Sequence, residues 1–110
     1  MLLKHFLIIT VLLICSTLLH AQKNKSVIDS LEKMAAVTKD SQLVKIYNDL
    51  TWEYRLVDRD KAMNYGYKAI VQAKKSNYPS GIAQAYNDLG ILLYDQEKYD
   101  SAIVFYQEGD

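Results

Sequence analysis

The chain has 110 residues, half of them apolar, with 13 basic and 13 acidic side chains and a formal net charge of zero. Both signs of charge are spread along it without a basic stripe, so it lacks the electrostatic footprint of a nucleic-acid binder and no nucleic-acid partner is expected. The single cysteine, Cys15, and both histidines, His5 and His20, fall within residues 1–21. The rest therefore has no disulfide, Cys/His zinc site, Cys nucleophile or Ser-His-Asp triad, and neither metal, cofactor nor catalysis is expected of it.

In chain order, the opening MLLKHFLIITVLLICSTLLHAQ places Lys4 ahead of an apolar run from Phe6 to Leu19. That run is about 14 residues long, whereas a bilayer takes roughly 20, and it closes on Leu19-His20-Ala21. A positive start, a short apolar core and a small closing residue make the pattern of a secretory signal peptide. Residues 1–21 are predicted to be a signal peptide, cleaved after Ala21, and the protein to be exported. The alternative is an uncleaved N-terminal segment that anchors the chain in a membrane. Cys15, preceded by Ile14, reads as a hydrophobe and not as a lipidation site.

Beyond residue 21 proline and glycine are scarce, and apolar residues recur at spacings of three and four, the helical period. An N-terminal segment, residues 22–40, is predicted to hold one amphipathic helix. Ser26 caps it, and Val27, Ile28, Leu31, Met34 and Ala35 form its apolar stripe up to about Val37. Asp40 or Ser41 is expected to cap a second helix, ending near Val57. Asp58-Arg59-Asp60 reads as a turn and a new cap for a third helix, ending near Lys75. Pro79 disfavours helical geometry at Tyr78 and suits a helix start, so a fourth helix begins there and ends near Asp95. A fifth begins near Tyr99. The carboxylates Asp58/Asp60 and Asp95/Glu97/Asp100 are expected in turns that start helices, where they meet the helix dipole. They lack the spacing of a calcium-binding EF-hand.

The tetrapeptide Tyr-Asn-Asp-Leu stands at 47–50 and again at 86–89. Extended outward, the second copy reads Tyr86-x-x-Leu89-Gly90-x-x-Leu93, then Ala102-x-x-x-Tyr106. The first reads Tyr47-x-x-Leu50-Thr51-x-x-Tyr54, then Ala62-x-x-x-Gly66. This resembles the tetratricopeptide repeat, whose pattern is W-x2-L-G-x2-Y followed by A-x3-F. Leu93 departs from it in the second copy, and Thr51 and Gly66 in the first. The period also exceeds the usual length, with most of the surplus in the 75–80 connector.

The resemblance implies an all-α fold, a TPR-like helical-repeat solenoid of antiparallel helix pairs preceded by the signal peptide. Repeat 1 would span 41–78, and repeat 2, incomplete at the C-terminus, 79–110. Its core would hold Tyr47, Leu50, Tyr54 and Ala62 from the first copy, and Tyr86, Leu89, Gly90, Ala102 and Tyr106 from the second. The small residues Ala62, Gly66, Ala69 and Ala73 share one helix face and permit close backbone approach. In such a fold another face of each pair's first helix lines a concave groove. The candidate contacts to a peptide or protein partner are then Lys45, Asn48, Trp52 and Arg55, with Gln84, Asn87, Ile91 and Tyr94. Trp52 and Arg55 lead, because Trp and Arg dominate binding hot spots. Lys45, Asn48 and Arg55 supply the residue types of a carboxylate clamp, but Trp52 and Ile91 stand where its asparagine is expected.

An exported array of this type looks like the N-terminal sensor region of bacterial envelope regulators. In those, repeats outside the membrane precede a transmembrane helix and a histidine-kinase or DNA-binding output. The resemblance implies a periplasmic or cell-envelope interaction module, the front part of a longer sensor. The alternatives are an envelope scaffold or assembly factor, or the regulatory N-terminus of a membrane histidine kinase. Such repeats bury their faces on neighbours, so the chain reads as a fragment of a longer array or as a homo-oligomer. Membrane contact is expected only through the signal or a segment beyond residue 110.

Overall fold

The structure, a computed structural model, describes residues 1–110. Five helices account for the regular structure: α1 (Leu2–Val37), α2 (Asp40–Tyr54), α3 (Arg59–Lys75), α4 (Pro79–Asp95) and α5 (Tyr99–Gly109). Each packs against the next in sequence, and α2 also meets α4. The chain is an all-α, five-helix bundle with sequential helix–helix packing.

The starts of α3, α4 and α5 fall where the turn chemistry puts them. Asp58 caps α3, its side chain accepting the Lys61 backbone N–H at 3.1 Å, and Pro79 opens α4. Neither Asp40 nor Ser41 caps α2: Lys39 holds the N-cap position without a side-chain bond, and Asp40 takes left-handed backbone with φ of 60°. Three further features differ from the sequence reading. First, α1 runs unbroken through residue 21, so Ser26 lies inside a helix and caps nothing. No glycine or proline stands between Ala21 and Ser26, and without a breaker the helical bonds continue. Second, α2 stops at Tyr54, where the N–H groups of Val57 and Asp58 both turn back to the Tyr54 carbonyl, at 2.9 and 2.8 Å. Third, Asp95 ends α4 and starts no helix; it holds Arg55 at 3.0 Å instead.

α3 and α4 end by one device. Asn77 and Glu97 take left-handed backbone, with φ of 49° and 61°. Behind them Tyr78 N–H reaches Ala73 O and Lys98 N–H reaches Leu93 O, both at 2.9 Å. Asn77 and Glu97 themselves donate to Lys74 O and Tyr94 O. This paired bonding satisfies carbonyls that a helix end leaves orphaned.

The core takes one face from each of α2, α3 and α4. Leu50, Ala62, Ala69, Ala85 and Leu89 are wholly buried, and Ile28 of α1 joins the same cluster. Ala62, Gly66, Ala69 and Ala73 are all buried on α3, as their spacing predicts. Thr51, which stands where the repeat pattern has glycine, is buried but satisfied, its hydroxyl donating to Tyr47 O at 2.8 Å. Of the remaining repeat positions, Tyr54, Gly90 and Ala102 are buried, while Tyr47, Tyr86 and Tyr106 are half-buried. A Cβ on Gly90 would lie 2.6 Å from the Tyr106 ring, so the aromatic of α5 rests directly on that glycine.

α1 joins the bundle only through its C-terminal half. The radius of gyration is 17.8 Å, against about 13 Å for a compact domain of this size, because residues 2–20 project as exposed helix. Within α1 an apolar window of mean hydropathy 2.2 has nothing buried, and this helix is long and apolar enough to cross a membrane.

The attachment is polar as well as apolar. The Glu32 carboxylate accepts the hydroxyls of Tyr54, at 2.5 Å, and Tyr65, at 3.1 Å. The two rings stack at 5.7 Å with 11° between planes. The bond to Glu32, then burial and the Glu32 charge, raise the Tyr54 pKa above its ordinary 10.0. Burial first, then the Glu32 charge and bond, raise that of Tyr65. A raised pKa means that the folded chain holds protons that the unfolded chain releases. This stabilisation is complete below the unfolded phenol value of 10.0 and is lost as pH rises through the higher folded value. Helix content followed by circular dichroism should begin to fall above about pH 10. Glu32→Gln should lower stability at neutral pH and flatten that alkaline loss.

Candidate binding groove

Because α2 and α4 lie side by side, residues one helical turn apart on each form facing walls. From α2 come Asn48, Asp49, Trp52 and Glu53, and from α4 come Gln84, Asn87, Asp88 and Ile91. Val27 and Leu31 of α1 close the rim, giving a groove of about 530 Å³. Its walls repeat: Asn48 corresponds to Asn87, Asp49 to Asp88, and Trp52 to Ile91, each displaced by the interval between the two tetrapeptides. In Tyr-Asn-Asp-Leu the outer residues thus go to the packed side and the inner two to the groove.

The predicted contacts divide. Asn48, Trp52, Gln84, Asn87 and Ile91 line the groove; Lys45, Arg55 and Tyr94 lie outside its lining. Lys45 is solvent-exposed. Arg55 is engaged twice, by Asp95 at 3.0 Å and over the Trp52 ring at 4.4 Å. Tyr94 meets Tyr99 edge-on at 5.1 Å. Sequence reasoning missed the carboxylates Asp49, Glu53 and Asp88, and the contribution of Val27 and Leu31 as a wall. The signal for two of them was present, since Asp49 and Asp88 follow the groove asparagines inside the same repeated tetrapeptide.

The lining mixes carboxylates and amides with apolar side chains. Asp88 is only 6% exposed, and its Oδ1 accepts the Gln84 side-chain amide at 2.9 Å. Burial raises its pKa, the Asp49 charge adds to the rise, and the Gln84 bond opposes it. Asp49 is solvent-exposed, yet its partial burial raises its pKa as well. Asn48 Oδ1 is fully buried and has no hydrogen-bond partner. No lysine or arginine lines the groove. Nowhere in the structure do three or more His, Cys, Asp or Glu side chains gather as a group able to hold a metal ion. What the arrangement offers is shape, apolar contact, carboxylate acceptors and the amide and indole groups of Asn48, Gln84, Asn87 and Trp52. No family model, no curated protein and no solved structure matches the chain.

Proposed function

We propose that the chain is a tetratricopeptide-like helical-repeat module that holds a peptide or protein partner in the groove between α1, α2 and α4, with no chemistry of its own. One observation carries this reading: equivalent positions of two sequence copies converge on one concave surface. The half-exposed Trp52 stands in that surface, as a binding anchor does. Export fits the reading equally with or without cleavage, because Val27 and Leu31 lie beyond Ala21 and the groove keeps all its walls. In this proposal the module works in a bacterial cell envelope, at the front of a longer sensor or regulator.

The test is photo-cross-linking in the host envelope, with a benzophenone amino acid in place of Asn87. A partner should cross-link from that position and not from Val71, which is exposed on α3. Adding Trp52→Ala should remove the product. A product that survives Trp52→Ala would sink the groove as the binding site.

A further inference from the structure

We propose that the groove selects a cationic side chain, a lysine or arginine flanked by apolar residues, which enters between Asp49 and Asp88. This rests on the peptide-binding reading above and names the residue that such a peptide must carry.

The carboxylates of the lining ask for donors. The carboxylates of Asp49, Glu53 and Asp88 accept hydrogen bonds, and so does the Asn48 amide oxygen. One N–H of the Gln84 amide is given to Asp88. Asn48 Oδ1 is the one buried side-chain polar atom in the molecule without a partner; closed to solvent, it meets a donor only if its side chain turns toward the groove. Ammonium and guanidinium groups donate and never accept, so they complement these carboxylates. A carboxylate would meet three like charges and no cation, since Lys45 and Arg55 both stand outside the lining.

The electrostatics of the empty groove point the same way. Asp88 keeps a carboxylate in a nearly closed site, where asparagine would accept the same Gln84 bond without burying a charge. Burial raises the pKa of Asp49 and of Asp88, and the Asp49 charge adds to the rise at Asp88. An entering cation offsets both effects, because a nearby positive charge favours the ionised carboxylates. The walls suit the rest of such a side chain. Val27, Leu31 and Ile91 offer apolar surface to its methylenes, and Trp52 offers its indole. Arg55 covers one face of that indole, but Asp95 neutralises it. A volume of about 530 Å³ takes a few side chains.

The experiment is selection of a phage-displayed library of short random peptides on the full chain in detergent micelles. Trp52→Ala and the double variant Asp49→Asn/Asp88→Asn are run beside it. The full chain should enrich peptides with lysine or arginine between apolar residues. The dominant peptide should bind the double variant about tenfold more weakly or worse, a difference of about 1.4 kcal/mol. Replacing its basic residue by norleucine should weaken binding to the unaltered chain as much, a check that needs no folded variant. Enrichment without a basic residue, or binding that ignores both substitutions, overturns cation selection and leaves peptide binding standing. No enrichment over Trp52→Ala overturns both.

Discussion

Leu89→Ala is expected to lower the unfolding free energy by about 3 kcal/mol, in the middle of the range for a wholly buried leucine. Leu89 is 0% exposed and belongs to the cluster that ties α4 to α2 and α3. Its side chain occupies a hole made by Gly66, where an added Cβ would lie 2.5 Å from Leu89 Cδ2 and 2.8 Å from Cγ. Gly66→Ala should therefore also destabilise. Overpacking costs about 1–3 kcal/mol, and the better helix propensity of alanine returns only about 1 kcal/mol. The leucine has no solvent to swing into. The double variant is the discriminating one, because the alanine methyl at 66 partly fills the cavity left at 89. Its loss should fall short of the sum of the single losses by about 1 kcal/mol. Urea unfolding of the full chain, followed by circular dichroism, measures all three. Strict additivity would mean that the two residues do not share a contact, against the packing of α3 on α4.

Trp52→Ala carries the second large effect, on binding and not on folding. Half of Trp52 faces solvent, and its one aromatic partnership is the Arg55 guanidinium. Its removal should change stability by no more than about 1 kcal/mol. Partner affinity should fall at least about tenfold, the usual consequence of deleting a central aromatic anchor. Arg55→Ala is the matched control. Its ion pair with Asp95 is partly exposed, so it contributes about 0–1 kcal/mol to stability, and its guanidinium lies outside the groove lining. Its effect on affinity should stay within about threefold, less than 1 kcal/mol. An equal loss in both variants would move the binding surface to the C-terminal ends of α2 and α4, where Arg55 and Asp95 meet.

The contrast between these two residues shows how far the sequence can be read. Helical spacing puts Trp52 and Asn48 on one face, and one tertiary fact, that α2 lies beside α4, turns that face into a wall. Arg55 shares the spacing but follows the last residue of α2. Its direction is set by Asp95, 40 positions away, and no local pattern carries that information. Asp49 and Asp88, though carried by the same repeated tetrapeptide, are hard to assign to the groove for another reason. On an isolated helix they stand a large angle from their asparagine neighbours and read as solvent-facing. Two parallel walls enclose a wider arc than one helix face, and so take them in. Proline and capping aspartate made the starts of α3 and α4 legible, because each acts locally on its own backbone. The continuity of α1 through residue 21 had no such marker, since good helix formers on both sides leave no signal of a boundary. The small-residue face of α3 was legible in full, because close helix approach needs absent side chains and absence is visible in sequence.

Backbone amide chemical shifts of the full chain, recorded with and without the peptide that it enriches, would locate the binding surface residue by residue. The largest changes are expected at Asn48, Asp49, Trp52, Asn87, Asp88 and Ile91, on the two facing walls. Changes confined to the exposed apolar residues Tyr67, Val71, Ile103 and Val104 of α3 and α5 would contradict the groove and place recognition on the opposite pair of helices.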